Sequence, residues 1–199
     1  MIEKFQSIID TLKSTTFFES KLDLFEVHAT KADEERVFLD GRVLEKANLE
    51  LLKEKIAEEF PALEIQSENV TVLRTPETPV LNVSKNITSM HAGKSFQTEL
   101  TTQLFFGDEV EVLVDEGEWV IGRNVSDGYI SYTYRKYLDK LALPELTHIV
   151  SEPIALVYDA PENGNLVSRV MAGTKTGIMD SHGDMVRIRA SVDGWIKWR

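Results

Sequence analysis

Most of the side-chain sets that carry out chemistry are missing from this sequence. There is no cysteine, which removes thiol nucleophiles, thiolate zinc sites, iron–sulfur clusters and disulfides together. The four histidines, His28, His91, His148 and His182, are scattered. No two stand at the three- or four-residue spacing that puts paired imidazoles on one helical face for a metal. Gly93-Lys94-Ser95 ends like a phosphate-binding loop, but Thr88 stands where that loop needs its first glycine. No Gly-x-Ser-x-Gly elbow occurs. The sequence therefore predicts no catalytic residue, no metal site and no cofactor. Two groups of reactive or recognising side chains remain. Glu109, Glu111, Asp115, Glu116 and Glu118 form an acidic run, with Glu109 and Glu111 on one strand face opposite Val110 and Val112. Its spacing is that of a solvated face and lacks the ligand pattern of a calcium loop. Tyr129, Tyr132, Tyr134 and Tyr137 gather near one strand end, where such rings line a groove or fill core and interface. Asn82, Asn86 and Asn124 lie in glycosylation-type triplets.

Composition narrows the field further. The chain has 199 residues, 42% hydrophobic, 28% charged and 9% aromatic, which is ordinary for a globular protein. No run approaches the roughly 18 apolar residues of a membrane-spanning helix. The first ten residues alternate apolar and charged side chains without the basic and apolar regions of a secretory signal, so a cytoplasmic location is expected. The net charge of −11 repels phosphate backbones and anionic headgroups, and nucleic acid is not an expected partner. The excess lies early. Residues 1–75 hold 10 basic and 16 acidic side chains, 76–140 hold 6 and 10, and 141–199 hold 6 and 7.

The elements that position these groups follow from periodicity and punctuation. Thr75-Pro76-Glu77-Thr78-Pro79 and the stretch around Pro144 read as linkers, because proline fixes its own φ and cannot donate to a ladder. The expected domains are 1–75, 79–141 and 146–199. In the first, Ile2, Phe5, Ile8, Ile9 and Leu12 predict a helix over 1–13. Two alternating stretches, 22–28 and 37–43, predict a hairpin across a charged turn. Leu49, Leu52, Ile56 and Phe60 predict a second helix, with Asn48 as its cap and Pro61 beyond its end. A strand over 65–73 closes an αββαβ order.

The second and third segments repeat one another at an offset of 66 residues. Leu100 to Gly107 aligns with Leu166 to Gly173, Glu116-Gly117-Glu118-Trp119-Val120 with His182-Gly183-Asp184-Met185-Val186, and Asp127-Gly128-Tyr129-Ile130 with Asp193-Gly194-Trp195-Ile196. Each copy reads as short strands around a small barrel-like core. Gly107 and Gly173 allow a sharp bend, and Asp127-Gly128 predicts a tight hairpin with positive φ at both residues. By the same offset the third segment stops before a counterpart of Tyr134 to Leu138, the first copy's closing strand. Either the chain is a piece of a longer protein or another element completes that module.

These residues carry three resemblances. The αββαβ order with Phe38-Leu39-Asp40-Gly41-Arg42-Val43 resembles a BON domain over most of 1–74. Residues 80–199 resemble a pair of bacterial SH3 (SH3b) domains, on Gly107-Asp108-Glu109-Val110-Glu111-Val112-Leu113, Gly117-Glu118-Trp119-Val120 and Asp127-Gly128-Tyr129, with Gly183-Asp184-Met185-Val186 and Asp193-Gly194-Trp195-Ile196 in the second copy. More narrowly, Thr102-Gln103-Leu104-Phe105-Phe106-Gly107-Asp108 resembles the first SH3b of the NlpC/P60 cysteine peptidases, which cleave γ-D-glutamyl to diamino-acid bonds in murein peptides. The fold class so implied is a BON-like α+β domain followed by two all-β SH3-like small barrels.

The NlpC/P60 resemblance also implies a site. In those enzymes the first SH3b can supply a carboxylate and an aromatic ring to the free amino end of the peptide, and the matching positions are Asp108 and Tyr129. A carboxylate takes an ammonium through charge-assisted hydrogen bonds, and a ring face adds cation–π attraction. The family's catalytic domain carries Cys and His, and no cysteine is present here. The chain is thus expected to be the non-catalytic part of such a hydrolase, positioning a murein peptide in cytoplasmic recycling beside a catalytic domain that follows it. The alternative is a stand-alone scaffold that binds cell wall or protein without catalysis.

Overall fold

Helical spacing of apolar residues opens the chain. In the computed structural model, which describes residues 2–198, they form α1 (Ile2–Thr15) and bury Phe5, Ile9 and Leu12. β1 (Phe25–Ala32) alternates, with Phe25, Val27 and Ala29 inward, and pairs antiparallel with β2 (Arg36–Val43). α2 (Lys46–Glu59) then carries the chain over to β3 (Glu64–Val72), which runs parallel to β2. A parallel pair needs such a crossover. Asn48 is not the cap of α2. Glu45 occupies that position, and the Asn48 side chain accepts the Glu45 backbone N–H at 3.0 Å from inside the first turn. Phe5, Leu39, Leu52 and Ile56 are the fully buried centre of this core. Gly41 has φ +128°, and a Cβ there would lie 2.0 Å from the Glu26 carbonyl oxygen, so only glycine lets β1 and β2 approach.

From residue 79 the strands shorten. β4 (Val80–Val83), β5 (Ile87–His91), β6 (Leu100–Phe105), β7 (Glu109–Asp115), β8 (Trp119–Asn124), β9 (Ile130–Tyr134) and β10 (Leu138–Asp139) make one seven-stranded sheet. Its order is β10-β4-β7-β8-β9-β5-β6. Beyond it lie β11 (His148–Ile149), β12 (Ile154–Tyr158), β13 (Leu166–Met171), β14 (Lys175–Thr176), β15 (Ile178–His182), β16 (Met185–Ile188) and β17 (Gly194–Lys197). β11 and β14 pair by themselves, and the other five form a sheet in the order β13-β12-β17-β16-β15. Val83, Met90, Leu104, Val110 and Val120 centre the first core, and Val157, Val170 and Ile188 the second.

The expected fold class is overturned. The chain is helix-poor and β-rich, with 45% of residues in strands, 16% in helix and two α-helices among the described residues. It is built from several sheets, and not from a BON-like α+β domain followed by two all-β SH3-like small barrels. Contacts divide it into two compact units at Thr78/Pro79, so residues 79–199 form one unit. The physical reason lies in the stretch around Pro144. Read as a spacer, it is packed instead. A Cβ on Gly107 would meet Leu143 at 3.5 Å and Leu146 at 3.8 Å, and one on Gly177 would meet Pro144 at 2.8 Å. The Asn86 amide adds a polar tie, donating to Ser168 Oγ at 2.8 Å and accepting from Ser191 Oγ. Among the described residues no helix is long and apolar enough to cross a membrane.

Candidate functional site

The bend at Gly107 sets the geometry around Asp108. Gly107 sits at φ +87°, a conformation that favours glycine, and turns the end of β6 into the start of β7. Asp108 closes this turn twice. Its backbone N–H donates to the Phe105 carbonyl at 3.0 Å, and its carboxylate Oδ2 accepts the Phe105 N–H at 2.7 Å. The Asp108 carbonyl in turn accepts the Val83 N–H at 2.9 Å. The side chain is half-buried, and burial raises its carboxyl above the usual aspartate value. The Phe105 N–H and the Lys175 charge work against that rise, while nearby Asp127 adds to it.

Asp108 faces an open cleft of about 460 Å³ inside the 79–199 unit. Glu109 adds a second carboxylate, Leu141, Leu143 and Leu146 make an apolar wall, and Val125 and Ser126 form one rim. Lys175 brings an ammonium from β14. At this size, with apolar walls and a few charged groups, the cleft suits a small polar ligand.

Tyr129 is placed differently. The segment from Asn124 to Tyr129 is a wider loop than the expected two-residue hairpin. Gly128 alone takes positive φ, at +77°, its N–H donates to the Asn124 carbonyl at 2.8 Å, and the Asn124 N–H donates to the Tyr129 carbonyl at 2.9 Å. Asp127 Oδ1 accepts the Tyr129 N–H at 2.9 Å, which spends that carboxylate on the loop itself. Tyr129 is half-buried and does not line the cleft, although Val125 and Ser126 of its loop do. The Val125 N–H donates to the Glu109 carbonyl at 3.0 Å and ties that loop to the start of β7.

The acidic run is largely engaged in ion pairs: Glu111 with Arg123 at 2.9 Å, Asp115 with Arg135 at 3.3 Å, and Glu116 with Lys94. Of the tyrosines, Tyr134 and Tyr137 meet at 5.1 Å between ring centroids, and Tyr132 receives the Lys94 ammonium at 5.8 Å. Phe96, 52% exposed, lies over Trp119 at 4.9 Å and Tyr134 at 5.4 Å. His91 holds the intervening loop, its ring nitrogens paired with Ser89 Oγ at 2.7 Å and the Thr98 carbonyl at 3.2 Å. Sequence reasoning named the tyrosines and missed Phe96, Trp119 and His91, which come from three other segments.

It also missed Lys175, for which a signal existed. The 66-residue offset aligns Lys175 with Glu109 and Thr174 with Asp108. Glu109 and Lys175 line the same cleft with opposite charges. The counterpart of Asp108, Thr174, is fully buried and its hydroxyl has no hydrogen-bond partner among the described residues.

Residues 90–133, from the end of β5 through most of β9, match the family model of the bacterial dipeptidyl-peptidase SH3 domain. This segment is similar to a bacterial SH3 domain. It contains both Asp108 and Tyr129. The fold is also similar to that of an NlpC/P60 family protein from Bacillus cereus ATCC 10987, with a TM-score of 0.50 and 15% identity over 60% of this chain. The chain spans about half of that protein, 54% of its length. NlpC1 and NlpC2 from Trichomonas vaginalis align over 63% of this chain and 46% and 44% of theirs, at 17% and 20% identity and TM-scores of 0.28 and 0.23. Among curated proteins none matches the sequence.

Proposed function

We propose that this chain is the substrate-positioning, non-catalytic region of an NlpC/P60-type murein-peptide hydrolase, and that its SH3 domain holds the free amino end of the peptide with Asp108 and Tyr129. The observation that carries this reading is the placement of Asp108. Its carboxylate is fixed by the Phe105 N–H, half-buried, and aimed into a cleft of ligand size beside the bend of the SH3 domain. A carboxylate oriented in this way binds an ammonium more strongly than a freely rotating surface one, because the ordering is already done. Tyr129 lies outside the cleft lining, at the far end of the loop whose near end rims it, and under this reading its ring face is reached by a ligand that extends past Val125 and Ser126.

The partners under this reading are a murein peptide and a catalytic domain that provides the nucleophile. The setting is recycling of wall fragments in the cytoplasm. Calorimetric titration with the tripeptide L-Ala-γ-D-Glu-L-Lys tests it. Asp108→Ala is expected to weaken binding by about 10-fold or more, the usual worth of a charge-assisted bond. Tyr129→Leu, which keeps bulk and removes the ring, is expected to weaken it by about 3-fold. Equal affinity in both variants and the native chain, with melting curves unchanged, contradicts the proposal. A second reading, a scaffold for wall polymer or protein, draws on the exposed Phe96 over Trp119 and Tyr134. Loss of tripeptide binding in Phe96→Ala, but not in Asp108→Ala, favours that one.

A further inference from the structure

We infer that the cleft recognises its ligand as a zwitterion, with Lys175 holding a carboxylate while Asp108 holds the amine, so that residues beyond the SH3 domain form half of the binding site. This rests on the reading of Asp108 given above and extends it to the opposite wall.

Three observations carry it. First, the cleft brings together groups of opposite sign from two sheets: Asp108 and Glu109 at the start of β7, and Lys175 in β14. Second, these charges do not satisfy one another. Among the described residues Lys175 makes no ion pair within 4 Å, although it lies near enough to lower the Asp108 carboxyl. Most charges of the first sheet's acidic run are paired, as Glu111 with Arg123 shows. A separated ammonium and carboxylate facing one cleft leave room for a ligand with the reverse arrangement, each end completing a charge-assisted bond. Third, the separation is built in. Lys175 pairs with Ile149 across the short β11–β14 ladder, and Thr176 beside it is buried with its hydroxyl donating to the Arg189 carbonyl at 2.8 Å. The Asp108 side is fixed by the Phe105 N–H. Between them Leu143 and Leu146 pack on Gly107, supplying an apolar floor for the ligand's carbon skeleton.

The net charge of −11 gives this single cation extra meaning. An acidic surface attracts amines from solution and repels carboxylates. Without Lys175 the cleft would take any small amine, and with it a simple diamine is disfavoured and an amino acid or short peptide is selected.

The test is a crossed titration of the full chain with three probes: L-Ala-γ-D-Glu-L-Lys, its N-acetyl form, and its form with every carboxylate converted to carboxamide. Native chain is expected to lose about 10-fold or more in affinity on either change. Lys175→Gln is expected to weaken the parent tripeptide by a similar factor and to become indifferent to amidation, while remaining sensitive to N-acetylation. Asp108→Asn is expected to show the converse. Lys175 is exposed and its backbone makes the ladder bonds, so an unchanged melting curve for Lys175→Gln reports an intact fold. If Lys175→Gln binds as native does, or if amidation costs the native chain and Lys175→Gln alike, the inference is overturned while the amine reading stands. If N-acetylation has no effect on any protein, the amine reading and this extension both fall.

Discussion

In the proposed site, the Asp108 carboxylate is offered to an amine at the expense of the fold that presents it. Its half-buried carboxyl titrates above the ordinary value, chiefly through burial. A raised acid is penalised where it is charged in the folded state. The penalty is complete at pH values above its folded pKa and vanishes below the ordinary value of 3.8, where both states bind the proton. Asp108→Asn keeps an oxygen for the Phe105 N–H and removes the charge, so it is expected to melt higher than native at pH 7. The difference is expected to shrink as pH falls toward 3.8 and disappear below it, by thermal scans across that range. A lower melting temperature at pH 7 would mean the carboxylate serves the fold. The bend that carries Asp108 was legible from sequence, because Gly107 marks it. The place of Lys175 in the cleft was harder to read, because a lysine in a two-residue strand carries no local signal beyond the 66-residue offset, and the cleft depends on which other sheet it faces. Asp127 shows a related gap. Next to a glycine it reads as half of a tight hairpin, yet its carboxylate closes a wider loop onto Tyr129.

At the level of elements, periodicity located segments well and their environment less well. The helix expected over 1–13 runs Ile2–Thr15, since Phe5, Ile9 and Leu12 dictate its buried stripe. The start of α2 lies three residues before the expected one because Glu45 is the cap and Asn48 accepts its N–H from within the first turn. Gly41 gave no warning in the strand pattern, although a Cβ there would run into the Glu26 carbonyl. Gly41→Ala places a methyl group 2.0 Å from a carbonyl oxygen at a φ of +128°. It is expected to cost about 3 kcal/mol or more, as strain at such sites does. Urea unfolding followed by far-ultraviolet circular dichroism reads this directly. A loss below about 1 kcal/mol would show that β1 and β2 separate easily there. Two pairs of glycines at the 66-residue offset share positive φ. Gly107 and Gly173 sit at +87° and +92°, and Gly117 and Gly183 at +88° and +59°. Gly194 breaks the pattern: its φ is not positive, unlike that of Gly128, and it is required because Tyr158 O would lie 2.5 Å from a Cβ.

The architecture of the whole chain was the least legible part. Turn glycines at matched offsets are local features, whereas strand partnership depends on contacts far apart in sequence. The two halves of 79–199 keep similar bends and yet build different sheets, seven strands in one and five plus two in the other. Around Pro144 the composition suggested a spacer, and only packing reveals that Leu143 and Leu146 lie on Gly107. That contact joins the carboxylate side of the cleft to the ammonium side. The central claim, that this cleft receives an amine-bearing murein peptide, is tested most directly by titrating isotope-labelled chain with L-Ala-γ-D-Glu-L-Lys and following the backbone amide resonances. Saturable shifts are predicted at Phe105 to Glu109, at Val125 to Tyr129 and at Lys175. Shifts confined to Phe96, Trp119 and Tyr134, or none at millimolar peptide, would contradict the account.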